Sequence, residues 1–452
     1  MASEKIDDIM EKSFHRPPIN PFSDSNTPSL RAISYASDTP SAIRAPPRRQ
    51  FKSYRLNGEY ERTWLDDKRL KKTRVGKYII WGFVVAGLAL SAYINFNVTQ
   101  KVKRHEYCLI LDDQFSTLDT KIWNHEVQIN GFGTGSFDWT TSDEKNTYVD
   151  GEGLHIVPTL TTESTSITPE QLLNGYTLNL TESGGDGSCT GTTNSACSIR
   201  SNATTGTIIP PVRSARLNTK GTKSIRYGRV EVVAKMPKGD WMWPAIWMMP
   251  LNDSYGEWPA SGEIDIAEGR GNDVDYPIGG RDTVLSTIHW GPTPMHNAYW
   301  KALRGKAQRR TDYTQKFHTF GLEWSENYMF TYINTPLHQV MYWDFRKDRT
   351  MWQQGDFDGI TFNDSLVVDP WSQTGNPNTP FDQQFYLILN VAIGSRNGWF
   401  PDGIGGKPWT DAGLASADFH KSLDKFYPTW PEDSTRGMTI KSVKMWQQGA
   451  CG

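Results

Sequence analysis

Residues 261–271 read SGEIDIAEGRG, with three carboxylates, Glu263, Asp265 and Glu268, set among the isoleucines Ile264 and Ile266. Acidic residues are depleted in strands, yet the alternation is that of a half-buried strand. On a straight strand Glu263 and Asp265 share a face, and Glu268, three positions on, points away from them. One extra residue at about Ile266-Ala267, a β-bulge, returns Glu268 to the face of its companions. With the bulge counted, the two glutamates stand about 13 Å apart at Cα, and side chains leaning inward by about 4 Å each bring their carboxyls to about 5 Å.

Paired carboxylates at that spacing suit glycosidic cleavage, nearer the separation of retaining than of inverting enzymes without deciding between them, with one acid ionised to attack and the other protonated to release the leaving oxygen. A third acid between them can share a proton with a neighbour, because three close carboxylates cannot all be charged. A solvated acidic strand or a calcium site is the alternative, since carboxylate oxygens also ligate hard cations. The surroundings favour the chemistry. Trp241, Trp243 and Trp247 fall in KGDWMWPAIWMMP, Trp258 in EWPASGE, Trp290 in IHWGP and Trp399 in RNGWFPDG. Flat indoles suit the apolar faces of sugar rings, and their N–H groups pair with hydroxyls. His289, in STIHW, is either a hydrogen-bonded core histidine or a cleft residue touching the acids from a neighbouring strand.

Away from this stretch the chain reads as all-β. YGRVEVVAKMP puts Val230, Val232, Ala234 and Met236 on one face and Glu231 and Lys235 on the other. HTFGLEW and YMFTYIN flank Ser325-Glu326-Asn327 as a hairpin, and FYLILNVAIG is apolar enough for a central strand. Residues 158–215, rich in Ser, Thr, Gly and Asn, interrupt the pattern and are read as an insertion on a sandwich.

The 452 residues split by charge. Residues 1–77 carry 16 Lys+Arg against 10 Asp+Glu, and the remainder 32 against 40. Between the two parts lies the uncharged run YIIWGFVVAGLALSAYINF, Tyr78 to Phe96, about 28 Å as a helix and close to the thickness of a bilayer core. The sequence thus predicts a disordered tail over 1–77, a transmembrane helix over 78–98 and a large domain over 99–452. Seven basic residues from Arg62 to Lys77 precede the span and Lys101, Lys103 and Arg104 follow it, which makes the N-terminus cytosolic and the large domain luminal or extracellular, a type II arrangement. All four cysteines, Cys108, Cys189, Cys197 and Cys451, follow the span, where disulfides are permitted. Cys189 and Cys197 bracket a short loop, and Cys108 with Cys451 would join the domain's ends; four cysteines allow three pairings. Sequons stand at Asn179, Asn202, Asn252 and Asn363.

GEIDIAEGRG resembles the signature of glycoside hydrolase family 16. WPAIWMMP, WPASGEID, STIHWGP, FHTFGLEWSENY and FDQQFYLILNVAIGSRNGWFPDG resemble, in order, blocks of its laminarinase-like branch, which also contains β-1,3-glucan recognition proteins. The resemblance runs from about Leu109 to Gln448. It implies a β-jelly-roll of two antiparallel sheets with a concave glycan cleft, and endo-hydrolysis of β-1,3- or mixed β-1,3/1,4-glucan with retention. By motif position Glu263 resembles the nucleophile, Asp265 the assisting carboxylate and Glu268 the general acid/base. His289 resembles the family's cleft histidine, Trp247, Trp258 and Trp399 its sugar-binding tryptophans, with Trp243 beside them, and Asn146, in SDEKNTYV, a subsite asparagine. No cofactor is implied beyond a structural calcium. The partners expected are a β-glucan polysaccharide and, through the helix, a membrane, with no nucleic acid. A membrane anchor departs from the usual secreted form and resembles members tied to cell-wall assembly, so transglycosylation and non-catalytic glucan binding stand beside hydrolysis.

Overall fold

The computed structural model describes residues 54–55, 57–101, 105–345 and 348–451. Most of the tail expected over 1–77 lies outside the described residues. The described chain divides into two units, one holding the helix and one beginning at His105.

The helix runs from Lys68 to Lys101, starting ten residues ahead of the apolar run. Apolarity marks the span, whereas helix propensity marks the helix: Lys, Arg and Leu in KRLKKTRVGK are good helix formers and carry it back to Asp67, whose side chain accepts from the Arg69 N–H at 2.9 Å. Residues 68–77, read from sequence as part of the tail, belong to this helix. The segment Lys68–Asn97 is long and apolar enough to cross a membrane, and none of its apolar window is covered by protein.

The second unit is an all-β sandwich of two eight-stranded antiparallel sheets. The first has the order Gln339–Asp344, Tyr328–Ile333, His318–Trp324, Gly228–Lys235, Met438–Gln448, Gly153–Ile156, Thr147–Asp150, with Tyr107–Asp113 also on Met438–Gln448. The second has the order Arg304–Ala307, Thr283–His289, Glu263–Gly269, Met242–Pro250, Phe385–Ile393, Arg216–Asn218, Asn124–His125, with Ser224–Ile225 also on Phe385–Ile393. Val230, Val232 and Leu322 of one sheet and Ile246, Ile264, Leu387 and Leu389 of the other belong to one buried cluster. Each such side chain contributes about 1.5–3 kcal/mol when withdrawn from water. The expected hairpin closes with Ser325 N–H on the Tyr328 carbonyl at 2.8 Å.

Residues 158–215 build a satellite core. Ile167, Leu172, Leu178, Leu180, Ile208 and Ile209 cluster with Val127, Ile129, Trp139 and Ala417. The disulfide Cys189–Cys197 lies in this region, and Cys108–Cys451 joins the unit's two ends across a separation of 343 residues.

Candidate functional site

Gly262, at φ +84°, opens the carboxylate strand; a Cβ there would press on Phe381, Pro380 and Phe385 at 3.1–3.3 Å. The strand Glu263–Gly269 then pairs with Thr283–His289 on one side and Met242–Pro250 on the other. Glu263 faces His289 and Asp265 faces Thr287, but the next pair is Glu268 with Leu285, three residues advanced against two. On the other side Trp247 faces Asp265 and Ile246 faces Ala267, which leaves Ile266 without an opposite number. Ile266 is the bulged residue, and Ser286 Oγ donates to its freed carbonyl at 2.7 Å. The bulge falls where the alternation of the sequence required it.

Asp265 and Glu268 are buried, at 1% and 8% exposure, and Glu263 is half-buried. Burial holds the Asp265 carboxyl well above the usual carboxylate range, and the neighbouring charge of Glu263 and a hydrogen bond with it push the same way. Burial also raises Glu268 well above its ordinary value, assisted by the charges of Asp265 and Glu263 and opposed by His289 and by the Trp243 N–H. The strand thus favours the protonated form of Glu268 relative to a free carboxyl.

Each acid has an aromatic or imidazole partner. Trp258 Nε1 donates to Glu263 Oε2. Trp258 is carried by a turn in which Ser261 Oγ accepts from Tyr255 N–H at 3.1 Å and donates to the Gly256 carbonyl at 2.7 Å. His289 Nε2 lies 3.1 Å from Asp265 Oδ2 but off the line of a hydrogen bond. Asn297 Nδ2 donates to His289 Nδ1 at 2.8 Å, which assigns the proton of the neutral ring to Nε2, and Tyr299 stacks on the imidazole at 5.2 Å. Trp243 Nε1 donates to Glu268 Oε1 at 2.9 Å.

The tryptophans continue the surface across the sheet. Trp247 donates to Asn390 Oδ1 at 2.7 Å and lies 4.7 Å from the Arg216 guanidinium, which also covers Phe132 at 4.1 Å and pairs with Glu126 at 2.5 Å. Trp399 stacks on Trp243 at 4.8 Å with 12° between the rings. The structure therefore brings Glu263, Asp265, Glu268, His289, Trp243, Trp247, Trp258 and Trp399 to one sheet face.

Asn146 stands apart as a correction. Its side chain is fully buried, and its amide donates to the Val157 carbonyl at 2.8 Å, Thr159 Oγ1 at 2.9 Å and the Arg213 carbonyl at 3.2 Å. An amide spent on three internal acceptors binds loops together and has no donor left for a sugar. Asn297, Asn390 and Arg216 were not singled out from sequence. Their partners lie 8, 143 and 90 residues away, and nothing local marks the two long-range pairs.

One ligand atom each from Glu263, Asp265 and His289 falls within 4.8 Å of the others. Two carboxylates and an imidazole fall short of the roughly six to eight oxygens that calcium takes.

The model of glycosyl hydrolases family 16 matches residues 174–354. The chain is similar to a beta-1,3-glucan-binding protein of Penaeus monodon, 39% identical over 352 residues, which cover 75% of this chain and 90% of that protein. It is similar to a glucan endo-1,3-beta-glucosidase of Cryptopygus antarcticus, 35% identical over 184 residues, which cover 40% of this chain and 56% of that protein. Among solved structures it is similar to the laminarinase from Rhodothermus marinus, with a TM-score of 0.46 and 21% identity over 77% of this chain and 100% of that one.

Proposed function

We propose, from the premise that the chain belongs to glycosyl hydrolases family 16, that its cleft cleaves β-1,3-glucan or mixed β-1,3/1,4-glucan internally, by double displacement with retention. The observation that carries this reading is the bulged strand, which sets two glutamates and an aspartate on one face and, by burial, favours the protonated form of Glu268.

Glu263 attacks the anomeric carbon, its free oxygen forming the glycosyl bond while Trp258 holds the other. Glu268 gives its proton to the departing oxygen and becomes a carboxylate beside the Trp243 N–H, which favours the charged form. It then takes a proton from the incoming hydroxyl as that oxygen displaces Glu263. Asp265, held neutral by burial and by Glu263, hydrogen-bonds Glu263 and orients it. His289 and the tryptophans Trp243, Trp247, Trp258 and Trp399 form the proposed glucan surface.

A second reading, a protein that holds glucan without cutting it, is favoured by the 39% identity to a beta-1,3-glucan-binding protein. A third passes the glycosyl unit to a sugar hydroxyl in place of water. We place the helix Lys68–Lys101 in a membrane with the basic flank cytosolic and the sandwich luminal or extracellular; the two disulfides support an oxidising compartment. Incubation of the full chain with laminarin and with a mixed-linkage glucan, followed by product sizing, separates the readings. Shorter products with new reducing ends are expected; products longer than the substrate indicate transfer, and tight capture with no change in length overturns the catalytic reading.

A further inference from the structure

Arg270 follows the last residue of the carboxylate strand, two positions beyond Glu268, and is only 2% exposed. A buried guanidinium normally has a carboxylate partner, because an unpaired buried charge is costly. Arg270 is held by carbonyls instead. Its Nε and Nη2 donate to the Trp399 carbonyl at 3.1 and 2.9 Å, and its Nη1 to the Ile278 carbonyl at 3.5 Å. Burial brings its pKa down to about 10, so it stays charged at neutral pH.

The same guanidinium lies over the Trp399 ring, 4.1 Å from its centroid. Fork and face together fix both the backbone and the indole of one residue, a combination open to arginine and closed to lysine. Trp399 in turn stacks on Trp243, whose N–H meets Glu268 Oε1. A continuous column thus runs from the cation through two indoles to the acid.

We propose that Arg270 is a positioning residue for Glu268: by clamping Trp399 it holds the Trp243 indole in hydrogen-bond register with the acid and so sets both its orientation and its proton affinity. The proposal rests on the reading of Glu268 as acid/base given above, and its test separates the two. A hydrogen bond to the charged form favours that form, so slackening the column moves the Glu268 titration to higher pH. A carboxyl free to swing also donates its proton less well.

The test follows the Glu268 carboxyl carbon through a pH titration in the full chain in detergent, with 13Cδ-glutamate labelling and assignment through E268Q. Arg270→Met is expected to raise the Glu268 midpoint by about half a pH unit. It should also lower kcat on laminarin about tenfold. Arg270→Lys, which keeps the charge without the fork, shifts the midpoint the same way and serves if the methionine variant fails to fold. In a Trp243→Phe background, where the link to the acid is already cut, Arg270→Lys moves the midpoint no further, and Arg270→Met keeps only the part of its shift owed to the lost charge, which acts on Glu268 directly. A merely structural role would lower stability with the titration unmoved, and that result overturns the proposal, as does an equal shift from Arg270→Lys with and without Trp243. A wild type that binds laminarin without cutting it sinks the catalytic reading while the titration comparison still decides the role of Arg270.

Discussion

Two strands of this sandwich carry acids, and they handle them in opposite ways. Gly228–Lys235 alternates buried and half-exposed residues along its whole length, with its charges on the open face. There Arg229 lies 3.5 Å from Glu323 and 3.9 Å from Glu231, Lys235 bonds Glu152 at 2.9 Å, and Glu231 accepts from the Tyr332 hydroxyl at 2.7 Å. Glu263–Gly269 is buried at every position after the first. Among the described residues no Lys or Arg comes within ion-pair range of its three acids, and their partners are indoles, an imidazole and one another. Cations and water surround the charges of the first strand, while their exclusion from the second pushes the carboxyls of Asp265 and Glu268 toward their protonated forms. Sequence alternation is common to both strands; the chemical difference comes from what packs over each.

The contrast can be broken most sharply by one substitution on each strand. Glu263→Gln should reduce laminarin cleavage at least about 10³-fold with the fold unchanged, whereas Glu231→Gln should leave it within about twofold. Comparable losses from both would sink the distinction. Asp265→Asn comes next, with a loss of about 10–10³-fold in kcat. With Asp265 held neutral beside Glu263, the substitution removes no charge from the site, so the alkaline limb of the residual activity should stay within about half a pH unit of wild type. A limb that falls by about a full pH unit contradicts the neutral state of Asp265.

Glu268→Gln sharpens the comparison through stability. In the unfolded chain Glu268 ionises near its ordinary value of 4.5, but the native chain keeps the proton to higher pH. Across that window the unfolded state has released a proton that the native state retains, so stability falls as pH rises toward the native pKa and is regained below 4.5. Each pH unit of elevation costs about 1.4 kcal/mol. The glutamine variant should therefore melt above wild type at pH 7, with the two curves converging in acid; parallel curves would show that the buried acid carries no such cost. The smallest effect belongs to Arg229→Ala, whose part-exposed ion pairs contribute about 0–1 kcal/mol, a loss that added salt should shrink.

The carboxylate strand was legible because two periodicities conflicted. An acid three places from its companions reads as misaligned until one residue is bulged out, and Ile266 is that residue. The sandwich was legible for the related reason that Val230, Val232 and Ala234 repeat at period two and end fully buried. Asn146 was misread because its role depends on acceptors 11, 13 and 67 residues away. Arg270 sits in plain view in EGRG, but its meaning comes from Trp399, 129 residues on. Local pattern reveals which face a side chain takes, and the identity of what covers that face comes from distant chain.

Tyr107–Asp113 joins its sheet by pairing with the last strand, Cys108 standing opposite Gln447. Without a covalent link, tension on the chain ahead of Cys108 would open that ladder one rung at a time, as a zipper opens. The Cys108–Cys451 bond sends the pull into the far end of the polypeptide as well, so both terminal strands must yield together. Load applied ahead of Cys108 is in this respect shared between the first and last strands of the sandwich.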